Sequence, residues 1–160
     1  MTQYKVLFVC LGNICRSPTA EGVFRKHILD AKREADFIID SAGTGSWHAG
    51  NPPDERATYA ALIRDIDLSS QRARQVRIGD FEAFDYILAM DEDNFSSLIS
   101  TAPQELHEKI HLFLDFAPEL GVREVPDPYY GGEQGFDHVL DLIEAASRGL
   151  LNHIDAQVSG

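Results

Sequence analysis

Only two cysteines, Cys10 and Cys15, occur in the 160 residues. Their C-x4-C spacing is neither the C-x-x-C of a redox site nor half of a zinc pattern, and two thiols make no disulfide framework. The longest apolar runs, such as Val6 to Leu11, fall far short of the ~20 residues of a membrane span, so no membrane partner is expected. Met1 to Lys5 leads into a strand-like run without a leader and cleavage site, and the expected location is cytoplasmic. Basic residues are scarce: 14 Lys and Arg stand against 26 Asp and Glu, a net charge of −12. Phosphate contacts dominate nucleic-acid affinity, so a nucleic-acid partner is not expected. The six histidines read as surface or packing residues, and neither a metal nor a cofactor is expected.

What is present is ordinary globular material: 44% hydrophobic and 25% charged residues, in a length that suits one domain over residues 1–160. The charge is uneven. Residues 1–33 carry +4 and the remainder −16, so the N-terminal part can receive an anion that the rest of the surface repels.

Lys5 to Cys10 is a near-continuous apolar run, the mark of a parallel strand buried on both faces. Further strands are expected at Asp36–Ser41, Phe84–Met90 and Ile110–Leu114. Helical patterns fall between and after them, at Pro18 to about Lys32, Pro53–Arg64, Glu92–Ser100 and about Glu133–Ile154. Strands alternating with helices predict a doubly wound α/β fold, a four-stranded parallel sheet flanked by helices. Ligands of such sheets bind beyond the carboxyl ends of the strands, which places a phosphate-binding loop after the first strand.

That loop reads Cys10-Leu11-Gly12-Asn13-Ile14-Cys15-Arg16-Ser17-Pro18. Ser17 before Pro18 predicts a helix start with serine as N-cap. Gly12 and Asn13 are the two residue types most tolerant of left-handed backbone. A loop of this kind turns backbone N–H groups inward at a helix N-terminus and cradles an anion, and the same field favours a thiolate. The planar fork of Arg16 matches phosphate oxygens. A nucleophile, an anion cradle and a fixed cation within seven residues suit thiolate attack on a phosphoryl group. On placement alone, a buried strand-end cysteine followed by an ordinary turn remains the competing reading.

Val9 to Pro18 resembles the signature loop of the low-molecular-weight protein tyrosine phosphatases. The likeness continues in Asp40-Ser41-Ala42-Gly43-Thr44 with Trp47 and Asn51-Pro52-Pro53. It continues again in Phe84 to Leu88 with Met90-Asp91-Glu92 and Asn94, and in Val125-Pro126-Asp127-Pro128-Tyr129-Tyr130. The resemblance implies that Cys10 is a nucleophile that becomes a cysteinyl-phosphate. It implies that Arg16 and the amides of residues 11 to 16 hold the oxygens, that Asn13 shapes the loop, and that Ser17 donates to the sulfur. Asp127 would be the general acid, presented by flanking prolines; by itself it also fits a turn aspartate. Trp47, His48, Tyr129 and Tyr130 would form the pocket rim, with Leu11 and Ile14 on its floor or wall, and tyrosine-phosphorylated proteins would be the substrates. Asp91 is expected to cap the helix at Glu92. One departure stands out: where the family often has a histidine supporting the loop, this chain has Gln71. Arsenate reductase is a weaker fit, because its disulfide relay needs further cysteines. A protein arginine phosphatase tends to carry Thr where Ile14 stands. A phosphate-binding module would not need Cys10, Arg16 and Asp127 together. The oligomeric state is not readable from the sequence.

Overall fold

The computed structural model describes residues 3–128 and 133–159. Four parallel strands, β1 (Tyr4–Cys10), β2 (Phe37–Gly43), β3 (Tyr86–Ala89) and β4 (Ile110–Leu112), form a sheet in the order β2-β1-β3-β4. The helices are α1 (Arg16–Asp30), α2 (Glu55–Ile63), α3 (Ile78–Ala83), α4 (Glu92–Thr101) and α5 (Glu133–Ser159). This is the expected doubly wound α/β fold. β1 is central because it is apolar on both faces. Val6, Phe8 and Cys10 join the core under α1 and α5, while Leu7 and Val9 join a second core with Phe81, Phe84 and Leu98 on the other face. Phe8, Phe24 and Phe113 interlock edge to face across the first of these cores, at 5.1 and 5.8 Å between ring centroids.

Several element bounds differ from the sequence reading. β4 ends at Leu112, and Phe113–Phe116 turns into a 3-10 helix. α3 had no counterpart in the reading; it is six residues long and buries little beyond Asp80 and Phe81. α1 starts at Arg16 with Cys15 as its N-cap residue, so Ser17 lies inside the first turn and is not the cap. Strand order reverses between β1 and β3 because the chain crosses to the far side of β1 after β2. The carboxyl end of β1, where Cys10 lies opposite Gly43 of β2, is the crevice such sheets leave open. No described helix is long and apolar enough to cross a membrane.

Candidate active site

The chain leaves β1 at Cys10 and enters α1 six residues later, and the loop between folds around the Cys10 sulfur. Sγ accepts the Asn13 N–H at 3.2 Å and lies 3.0 Å from the Ser17 hydroxyl. Asn13 adopts a left-handed φ of 57°, whereas Gly12 does not. At position 12 a Cβ would lie 3.0 Å from His48 Cδ2, so the half-buried imidazole would have to shift to admit a larger residue. Glycine is needed at position 43, where a Cβ would meet the Leu11 carbonyl oxygen at 2.8 Å.

Asn13 is held by its side chain. Nδ2 donates to Ser17 Oγ at 2.8 Å and to Ser41 Oγ at 3.0 Å, and Oδ1 accepts the Arg74 N–H at 3.0 Å. Ser41 in turn donates to Glu21 Oε1 at 2.8 Å, and Glu21 pairs with Arg25. Burial pushes the Glu21 carboxyl up, while Arg25 and Ser41 pull against that rise. Gln71 sits at the edge of this network; its amide donates to the Pro18 carbonyl at 3.0 Å and its oxygen is 3.4 Å from Ser41 Oγ.

Arg16 is 3% exposed. Nη1 donates to Asp91 Oδ2 at 2.7 Å and to the Val125 carbonyl at 3.0 Å, and Nη2 lies 3.7 Å from Asp127 Oδ2. Burial disfavours its charge, but Cys10, Asp91 and Asp127 outweigh burial and raise its pKa. Asp91 also caps α4 as expected, its Oδ1 accepting the Asn94 N–H at 2.7 Å. The Val125 N–H donates to the Met90 carbonyl at 2.8 Å. That bond pins the Pro126-Asp127-Pro128 segment to the end of β3, and Asp127 stands partly exposed at the pocket.

The pocket has a volume of about 190 Å³. Cys10, Arg16 and Asp127 meet there, with Leu11, Gly12, Ile14, Cys15, Trp47 and His48 completing its lining. The loop that carries Trp47 is strapped down by Thr44 N–H to the Cys10 carbonyl and Gly45 N–H to that of Leu11. Trp47 is 72% exposed. Tyr129 and Tyr130 lie outside the described residues.

The structure therefore brings together every described residue of the expected site. Ser41, Glu21 and Arg74 were missed as site residues. A serine near the end of a buried strand was the available signal for Ser41; nothing local marks the other two. Among the described residues no group of three or more His, Cys, Asp or Glu is placed to hold a metal ion. The string His107-Glu108-Lys109-Ile110-His111 spells H-E-x-x-H, a zinc pattern only on a helix. Here it spans a 3-10 turn and β4. His107 bonds the Ala102 carbonyl at 3.0 Å, and His111 packs on Phe116 at 5.6 Å.

The family model described as low molecular weight phosphotyrosine protein phosphatase matches residues 5–160. A low molecular weight protein-tyrosine-phosphatase of Bacillus subtilis is 43% identical, over 95% of this chain and 96% of that protein. The corresponding protein of Schizosaccharomyces pombe is 46% identical over 88% and 90%. The crystal structure of a protein tyrosine phosphatase from Entamoeba histolytica, with Hepes in its active site, superposes with a TM-score of 0.94 at 42% identity. That match covers 97% of this chain and 99% of the other.

Proposed function

The chain belongs to the low molecular weight phosphotyrosine protein phosphatase family, and on that premise we propose how its own residues divide the work on a phosphotyrosine protein substrate. The protein is a cysteine-dependent protein-tyrosine phosphatase. Cys10 attacks phosphorus as the thiolate and forms a cysteinyl-phosphate. Arg16, with the backbone N–H groups of Leu11, Gly12, Asn13, Ile14 and Cys15, holds the three oxygens that carry the developing charge. Asp91 and the Val125 carbonyl take one edge of the guanidinium and leave the Nη2 side toward Asp127.

Asp127 gives its proton to the leaving phenolic oxygen and afterwards takes one from the water that hydrolyses the cysteinyl-phosphate. Ser17 donates to the Cys10 sulfur and eases its departure from phosphorus. Trp47 lies against the substrate ring, and Tyr129 and Tyr130 are proposed to share that role. The observation that carries this reading is one pocket uniting Cys10, Arg16 and Asp127, although Asp127 is far from the other two in the chain.

Two substitutions test it. Cys10→Ser should abolish turnover of an aryl phosphate while still binding inorganic phosphate. Asp127→Ala should slow phosphoenzyme formation about 10²–10⁴-fold on phosphotyrosine and far less on an ester with a strongly acidic phenol. Equal slowing on the two leaving groups, measured in the pre-steady-state burst, would remove Asp127 as proton donor.

A further inference from the structure

Between α2 and the first turns of α5 the fold builds a second depression, of about 220 Å³. Tyr59, Ala60, Ile63 and Phe136 wall it, and Glu55 and Asp137 stand at its edges. The Arg56 guanidinium carbon sits over the Phe136 ring, 5.0 Å from its centre. Tyr59, Leu62 and Ile63 are 65%, 58% and 66% exposed. Tyr59 and Ile63 are four apart on one helix and so share a face. Single exposed apolar residues are normal, but three on one nine-residue helix of a chain with a charge of −12 form a patch that marks an interaction surface.

The two depressions share no lining residue, but α2 ties the second one to the cysteine loop. Asp54 caps α2 with its side chain, and its own N–H donates to the Ile14 carbonyl of the cysteine loop at 2.8 Å. α2 then rises ~1.5 Å per residue, so the wall formed by Tyr59 and Ile63 begins about 7 Å from that anchor and ends at about 13 Å. An extended peptide covers the longer distance in about four residues at ~3.3 Å each. The surroundings are acidic: Asp137, Asp141 and Glu144 all converge on Arg64, and Asp54 pairs with Arg56 beside Glu55, so five carboxylates surround two guanidiniums.

We infer that this groove is a docking site for the substrate protein. It would take a segment about four to six residues from the phosphotyrosine that carries an aliphatic side chain next to a lysine or arginine. The inference rests on the phosphatase reading above. It gives the phosphatase a sequence preference that a free aryl phosphate, too small to reach α2, does not sense.

The test uses the full chain, p-nitrophenyl phosphate and two phosphotyrosine peptides. One peptide carries Leu-Lys pairs four and five residues to either side of the phosphotyrosine; the other has Gly-Ser in their place. Wild type should prefer the Leu-Lys peptide about tenfold in kcat/KM, through KM, the scale that burial of one aliphatic side chain supplies. Ile63→Asp should erase the preference and leave p-nitrophenyl phosphate turnover unchanged. Asp137→Lys should weaken the preference by opposing the peptide's lysine. Equal kcat/KM for the two peptides in wild type, or an undiminished preference in Ile63→Asp, would overturn the inference. A dimer by sedimentation velocity that Ile63→Asp dissociates, with peptide kinetics unaltered, would assign the groove to a second copy of the chain and overturn it too. Failure of p-nitrophenyl phosphate turnover itself in wild type would instead remove the phosphatase reading.

Discussion

Replacing Asp91 separates the two tasks of its carboxylate. Oδ1 caps α4 through the Asn94 N–H, and Oδ2 holds Arg16. Serine caps a helix about as well as aspartate but is too short and uncharged to hold the guanidinium. Asp91→Ser therefore removes the second task alone. A hydrogen bond to a charged group is worth about 1.5–3 kcal/mol. Arg16 keeps the Val125 carbonyl and the more distant Asp127, so the loss should be about 2 kcal/mol rather than the ~3–5 kcal/mol of an orphaned buried charge. For a chain of this size that is a Tm about 4–8 °C lower. A displacement of about 1 Å in a positioned group costs about 10² in rate, so kcat on phosphotyrosine should fall about 100-fold.

Asp91→Asn, nearer in shape, should be the less stable of the two variants. Asparagine offers one acceptor oxygen to two donors, and its NH₂ must face either Asn94 N–H or Arg16. Thermal unfolding and steady-state kinetics of both variants decide the matter. If Asn proves as benign as Ser, or if Asp91→Ser keeps kcat within threefold of wild type, Asp91 does not position Arg16.

Two further outcomes follow from groups the mechanism does not use. Burial, with Asp54, Cys10 and Asp127 adding to it, pushes the Cys15 thiol well up, so it meets an oxidised Cys10 as a protonated and therefore slow partner. Peroxide should first give a Cys10 sulfenic acid, which condenses with Cys15 to a disulfide, with loss of water, faster at alkaline pH. Dithiol should restore activity in wild type and restore less of it in Cys15→Ser after prolonged exposure, and equal recovery would leave Cys15 a packing residue. Burial, reinforced by the neighbouring His153 and opposed by Asp115, lowers the His111 pKa below 6.5. The folded chain then binds fewer protons there than the unfolded one, so stability is complete above about pH 6.5 and falls as the pH drops through that value. His111→Phe should flatten the decline in unfolding free energy between pH 6.5 and 5, and an unchanged slope would refute the assignment.

The sequence revealed the parts of the site that are local. A strand apolar on both faces, a glycine and an asparagine at a turn, and an arginine near a helix start are patterns within a dozen residues; β1 and the turn lie where they were expected, while Arg16 is the first residue of α1 and only Asn13 of the turn pair is left-handed. Ser17 shows the limit of that approach. Ser-Pro is a helix-start signal, yet the Ser17 hydroxyl faces inward to Cys10, Asn13 and the Ala42 carbonyl, and the helix begins at Arg16, two residues before Pro18, without a side-chain cap. α3 escaped notice because six residues carry too little periodicity, and its start is fixed by the Arg77 N–H bonding to Asp80. Asp91 was legible as a cap because capping is local. Its grip on Arg16 joins positions 75 apart, which only the β1–β3 pairing brings together. The string from His107 to His111 teaches the converse, since letters that fit a metal motif carry no metal chemistry when the backbone beneath them is a turn and a strand.

The sense of each hydrogen bond around Cys10 follows from groups that cannot reverse. The Arg74 N–H can only donate, so it fixes the Asn13 oxygen toward itself and both amide hydrogens toward Ser17 and Ser41. Ser17, having accepted, has its own proton to give. The Cys10 sulfur at 3.0 Å is nearer than the Ala42 carbonyl at 3.4 Å, and in the proposed mechanism that proton goes to the sulfur and stabilises negative charge on it. At the other end the Glu21 carboxylate can only accept while ionised, which turns the Ser41 hydroxyl away from Asn13 and leaves its lone pairs for the amide. Gln71 stands at the edge of this chain and has no proton to gain or lose near neutral pH. Asn13 is held in a left-handed conformation that costs about 1–2 kcal/mol for a residue with a Cβ. Three side-chain bonds and the N–H contact to sulfur offset that strain and hold the loop in this shape.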